Sequence, residues 1–139
     1  MATFNKFNCF VEDMAEKVHN LGADQLKYAY TNSAPVATNT VLANITQITA
    51  ANGYSSGGVS VTTSSSAQTS GTYKLVLADS VLTASGGSVG PFRYQVLYNS
   101  TAAGGPLIGW YDYGSGVTLA DTETFTVDQD PSAGALTNV

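Results

Sequence analysis

Hydrophobic residues recur every three to four positions at the start of the chain. Phe7, Phe10, Val11, Met14, Val18 and Leu21 form one stripe, and Glu12, Asp13, Glu16 and Lys17 lie opposite. That period is helical. It predicts one amphipathic helix over residues 5–21, with Asp13 and Lys17 spaced as an i,i+4 pair and Gly22 placed to close it. The stripe is expected to pack inside the domain.

From Gln25 onward the period is two. Leu26, Tyr28 and Tyr30 alternate with Lys27, Ala29 and Thr31, as in a half-buried strand. Pro35 ends that run, since proline cannot donate into a ladder. An apolar stretch follows at 41–48, then turn signals at Asn52-Gly53 and Gly57-Gly58. Residues 59–63, 73–78, 93–98, 107–113, 117–119 and 124–127 read as further short strands. Residues 64–71 read as a polar loop. Gly86-Gly87, Gly90-Pro91, Gly104-Gly105-Pro106 and Gly114-Ser115-Gly116 read as turns or breaks. The pattern predicts a mainly β chain, a single domain over 1–139. It comprises an N-terminal helix at 5–21, a β-sandwich or jelly roll at 25–128 and a loosely ordered tail at 129–139.

Charge changes the picture most. Only 11% of the 139 residues are charged, against about 25% in typical domains. Between Lys27 and Arg93 the only formal charges are Lys74 and Asp79. Ser, Thr, Asn and Gly supply the polarity instead. A surface of neutral hydroxyls suits packing on a partner, because little charge must be desolvated. The net charge is −5, with five basic residues scattered along the chain. That argues against direct nucleic-acid binding, which needs a Lys/Arg footprint. No apolar run approaches the ~18 residues of a membrane span. The N-terminal stretch meets acids at once and is not expected to act as a signal peptide. The glycosylation-like triplets Asn44-Ile45-Thr46 and Asn99-Ser100-Thr101 are therefore read as chance.

The residues offer little catalytic chemistry. Cys9 and His19 are the only classical nucleophile and base, and each is one of a kind. On one helix they would sit on different turns, out of easy reach of each other. Cys9 is expected to be a small packing residue, and His19 a solvent-facing or C-terminal helix residue. One His and one Cys exclude a zinc site of the usual ligands. Asp128-Gln129-Asp130, with Ser132 and Gly134, is a faint calcium-loop pattern, but it lacks the closing Glu and Pro131 interrupts it. Asp121 and Glu123 are read as solvated acids near a turn. Gly86-Gly87-Ser88-Val89-Gly90 has no following lysine or helix and reads as a turn, not a phosphate loop. Tyr94, Tyr98, Trp110, Tyr111 and Tyr113 fit a β-core with an interface face, or alternatively a sugar platform. The expectation is a non-enzymatic chain with no catalytic, cofactor or metal residues.

Five segments carry a family resemblance. They are FVEDMAEKVHNLGADQLKYAYTNSAP at 10–35, SAQTSGTYKLVLAD at 66–79, GPFRYQVLYN at 90–99, PLIGWYDYG at 106–114 and LADTETFTVD at 119–128. In these segments the chain resembles the head decoration, or capsid cement, proteins of tailed bacteriophages. The resemblance implies a jelly-roll β-sandwich on the outer surface of the virion capsid, assembled in the host cytoplasm. It implies the major capsid protein as partner and self-association as a dimer or trimer. Such proteins bridge neighbouring capsid subunits and stabilise the expanded, DNA-filled head. The alternatives are a tail or fibre component of the virion, and a carbohydrate-binding β-sandwich module.

Overall fold

The computed structural model describes residues 4–129, 132 and 134–138. Its N-terminal segment departs from the helical expectation at both ends. Phe4–Lys6 is a strand, β1, and the helix α1 spans only Cys9–Ala15. At the front, β1 pairs antiparallel with a later strand through Phe4↔Tyr111, Asn5↔Trp110 and Lys6↔Gly109. Extended backbone gains that ladder, and a helix would lose it. Gly109 permits the crossing, because a side chain there would collide with the Phe4 ring. At the rear, Val18 N–H donates to Asp13 C=O at 2.9 Å, and Lys17 between them has φ 66°. This is a Schellman closure with lysine in the left-handed position usually given to glycine. The helix therefore stops well short of Gly22. Of the predicted stripe, Phe7, Phe10 and Leu21 are buried and Met14 packs partly against the core, while Val11 and Val18 are exposed.

Nine further strands follow: β2 Leu26–Thr31, β3 Val59–Val61, β4 Thr63–Thr69, β5 Thr72–Leu77, β6 Ser80–Thr83, β7 Val89–Asn99, β8 Leu107–Leu119, β9 Thr124–Val127 and β10 Leu136–Asn138. They build a five-stranded sheet in the order β1-β8-β7-β2-β3, a three-stranded sheet β10-β5-β4 and a two-stranded sheet β6-β9. Every pairing is antiparallel. The protein is mainly β, and among the described residues no sheet closes into a barrel.

The main core lies between the large sheet and the two small ones. Tyr28, Tyr30, Phe92, Leu97 and Tyr111 from the large sheet meet Leu75 and Leu77 of β5, Leu82 of β6 and Val127 of β9. A second, smaller core covers the other face of the large sheet. There Ala29, Val96, Tyr98 and Leu107 pack with Phe7 and Ile45. Ala29 and Thr31 are consequently as buried as their neighbours Tyr28 and Tyr30, so β2 is covered on both faces rather than one.

Further segments differ from the sequence reading: residues 80–83 form the unpredicted strand β6, and Gly90-Pro91 lies inside β7 rather than at a break. The polar stretch at 64–71 is not a loop: its first part is β4, joined to β5 by the two-residue turn Ser70-Gly71. Both turn residues have positive φ, 52° and 83°, which is the geometry that matches the twist of a tight hairpin. The stretches 107–113 and 117–119 are one strand. Gly114-Ser115-Gly116 is absorbed as an irregularity, where the register moves from Tyr94↔Asp112 to Phe92↔Val117. The apolar stretch 41–48 forms only a bridge, Val41↔Pro106, and a 3-10 turn at Leu42–Asn44. Its Ile45 caps the second core instead. In the expected loose tail, β10 pairs with β5 through Leu136↔Leu75 and Thr137↔Lys74, and Ala135 is buried.

Candidate interaction surface

Among the described residues, six strands end a sheet: β1, β3, β4, β6, β9 and β10. Five of them have three or four residues, and β4 has seven. Short edges resist pairing with other chains, and longer ones are normally guarded by lysine, proline or a bulge. The sequence of β4 is TSSSAQT, with no charge and no proline. A register irregularity between Thr63 and Ser65 marks its first turn of chain, and from Ser65 to Thr69 the pairing with β5 is regular.

The hairpin turn determines which backbone groups face outward. Thr69 and Thr72 flank a two-residue turn, so they form the hydrogen-bonded pair, and the pattern alternates from there. Ala67↔Lys74 is hydrogen-bonded, while Gln68↔Tyr73 and Ser66↔Leu75 are not. The N–H and C=O groups of Gln68 and Ser66 therefore point away from β5. Two side-chain contacts add to the ladder at this end: Ser66 Oγ lies 2.7 Å from Tyr73 Oη, and Gly71 N–H donates to Gln68 Oε1 at 3.0 Å. The outer edge of β4 is an open, neutral template for a strand from another chain.

The residues that could have carried chemistry are dispersed or occupied. Cys9 Sγ lies 3.7 Å from the carbonyl oxygens of Asn39, Thr40 and Leu107, and burial pushes its thiol up. His19 lines a different cavity from Cys9. Asp121 Oδ1 accepts from Gly86 N–H at 2.9 Å, and Glu123 Oε1 accepts from Ala120 N–H at 2.6 Å. Both carboxylates thus fasten turns. In the faint calcium pattern, Asp130 and Pro131 lie outside the described residues. Gln129 turns inward: its N–H donates to Asp79 Oδ1 at 2.7 Å, and its Nε2 donates to the Tyr28 hydroxyl at 2.7 Å. Among the described residues no three His, Cys, Asp or Glu side chains gather.

His19 corrects its sequence reading. It is 6% exposed, not solvent-facing. The Schellman turn after α1 folds the chain back, and His19 tucks beneath Asn99. Asn99 Nδ2 lies 3.1 Å from His19 Nδ1 and donates to Asp24 Oδ2 at 2.6 Å. Asn99 Oδ1 accepts from the N–H groups of Thr101 and Ala102. Because Nδ1 accepts in this arrangement, the proton of the neutral ring sits on Nε2, 4.0 Å from Asp13 Oδ2. Burial pushes the imidazole below its ordinary 6.5, with Asp13 and Asp24 opposing. The unfolded chain therefore binds this proton at a higher pH than the folded one. The contribution is intact above about 6.5 and is lost as pH falls from there toward the folded value. Melting temperature is expected to fall between pH 7 and 5.5, and His19→Gln is expected to flatten that slope. An unchanged slope in the variant would remove His19 from the account.

The aromatic residues proposed as a sugar platform do not form one. Tyr94, Tyr98 and Tyr111 are buried, and Trp110 lies on Phe7 with ring centroids 4.6 Å apart in the second core. Only Tyr113 is exposed, and its ring meets Phe125 edge-on at 5.3 Å.

The geometry thus defines a mainly β protein whose most available feature is a neutral sheet edge. No family model, no curated protein and no solved structure matches the chain.

Proposed function

We propose that this chain is a non-enzymatic virion structural protein. It binds the outer capsid surface of a tailed-bacteriophage head and cements neighbouring major capsid subunits, as a dimer or trimer. The observation that carries the reading is the β4 edge: regular from Ser65 to Thr69, uncharged, without proline and open to a partner strand. A monomer that has no use for such an edge is selected to guard it. The scarcity of charge supports the same reading, since a neutral hydroxyl surface is desolvated at low cost and holds water-bridged contacts well. Repetition over a shell adds many weak contacts into a firm hold. The segmental resemblance to cement proteins supplies the capsid address. The sandwich reading of the fold, of jelly-roll kind, belongs to this proposal. It is supported by the single core that the large sheet shares with the two small ones.

The test is electron cryomicroscopy of virions with and without the gene for this chain. The expected result is extra density on the outer shell, lost in the deletion together with resistance to heat and low salt. Density in the tail and an equally sturdy bare shell would overturn the capsid address and favour the tail or fibre alternative.

A further inference from the structure

The β4 edge sets conditions on the strand that pairs with it. Its ladder with β5 is regular from Ser65 to Thr69, and Ala67 is the midpoint of that stretch. Ser65, Ala67, Gln68 and Thr69 are exposed. Among the described residues, the backbone of neither Ser66 nor Gln68 enters a turn, loop or cap bond. The other edge strands have three or four residues each. Within this chain, the strand that matches the length of β4 at an open edge is β4 itself.

Self-pairing obeys symmetry. Identical edges related by a two-fold axis run antiparallel, and a residue on the axis meets its own copy. An axis between residues would set an outward-facing residue against an inward-facing one. An axis on Ala67 avoids this and uses the whole regular stretch. Ser66 then faces Gln68 of the second copy, and Gln68 faces Ser66. All of these have outward N–H and C=O groups, so each pair exchanges both hydrogen bonds. Ala67 meets Ala67 in the non-hydrogen-bonded pair between them, where Cα atoms approach to about 4.5 Å. A methyl side chain fits that crowded place. On the same face Ser65 meets Thr69, and paired hydroxyls bond to each other.

Charge selects the same occupant. At a two-fold axis every charge faces its own sign, so a self-pairing strand has to be neutral, as β4 is. A strand of different sequence makes no such demand and gains from an opposite-charge pair. The one charge of the β4-β5 hairpin is Lys74. Its Nζ donates to Ser132 C=O at 2.9 Å, in the segment leading to β10 on the far side of β5. That keeps it off the axis.

We propose that β4 pairs with β4 of a second copy of this chain about a two-fold axis through Ala67, joining the two β10-β5-β4 sheets into one. Such isologous pairing closes at two copies, so this edge selects the dimer over the trimer. The inference rests on the assembly reading and names the partner strand. Shell binding then gains from two linked subunits.

The test is sedimentation velocity of the full chain from about 1 µM to about 1 mM. The expected result is a rise from one chain mass to two, with a dissociation constant of about 10–100 µM for a contact smaller than a standard interface. Ala67→Glu and Ala67→Lys each set like charges face to face across the axis, at an exposed site. Each is expected to weaken the dimer at least about fivefold. Mixed in equal amounts, the two variants are expected to regain association, because opposite charges then meet. If either variant fails to fold by circular dichroism, a half-labelled sample of the unaltered protein reads the same contact. An isotope-filtered NOE between the Ala67 Hα protons of two copies is expected there, and its absence would overturn the proposal. So would a monomer throughout the concentration range, a trimer as the final species, or folded variants that associate no better mixed than alone. A monomer that still decorates shells leaves the cement reading standing without this one. A dimer absent from shells does the reverse.

Discussion

Gln68→Pro is expected to leave the protein folded and to strip it from the shell. Gln68 belongs to a non-hydrogen-bonded pair with Tyr73, so its N–H faces outward. Proline there removes a donor that β5 does not use, and its ring obstructs an incoming strand. The local losses are the Gln68 Oε1 bond to Gly71 N–H and some backbone strain, together about 1 kcal/mol at an exposed site. Per subunit, affinity for the partner strand is expected to fall at least about tenfold. Repetition over the lattice magnifies that loss. Ala67→Pro is the informative contrast. Ala67 pairs with Lys74 through hydrogen bonds directed at β5, so proline there breaks the hairpin itself. Shell occupancy is read by electron cryomicroscopy and the fold by circular dichroism. Full occupancy by a folded Gln68→Pro protein would take the β4 edge out of the interface.

Phe92→Ala is expected to lower stability by about 3–5 kcal/mol. Phe92 has no exposed surface. Its ring meets Tyr30 at 4.9 Å and Phe125 at 5.0 Å, both close to perpendicular, and Tyr30 meets Phe125 at 6.0 Å. The three rings thus stand mutually edge-to-face, an arrangement that adds to the burial of area. They also tie β2, β7 and β9 together, so removing the central ring loosens the small sheet from the large one. In a chain of this length the melting temperature is expected to drop by about 10–20 °C. Phe92→Leu keeps most of the volume and is expected to cost clearly less. A loss under about 1 kcal/mol for the alanine variant would show that the cluster collapses around the gap.

How much of this was legible in the sequence depends on the range of the interactions involved. Alternation marked β2, β5, the centre of β7 and β9, because period two reports a strand whatever it pairs with. The stretch 64–71 was read as a loop and β4 was missed: a run of Ser, Thr and Ala has no hydrophobic alternation, and only pairing with β5 extends it. The Gly114-Ser115-Gly116 break was misread because a long partner strand can absorb glycines as a bulge. The helix was read too long because its apolar stripe continues past both true ends. The candidate surface was half legible. Scarce charge pointed to a partner-facing protein, but the outward groups of Gln68 and Ser66 follow from hairpin register. The burial of Gln95 was not legible at all, since a glutamine within an alternating strand looks like its solvent-facing side.

The sequence by itself determined the class and the chemistry. Short runs of period two separated by glycine and proline dictate a mainly β chain, and a charge content of 11% dictates a neutral surface. Both are local or additive properties. The tertiary structure alone decided the rest. It made Phe4–Lys6 a strand by supplying β8 as its partner. It stopped α1 at Ala15 and drew His19 under Asn99. It left one long edge, β4, unpaired on its outer side. Those outcomes depend on which residues meet across the sheets, and backbone groups and buried amides take their roles from those partners, not from their neighbours in the chain.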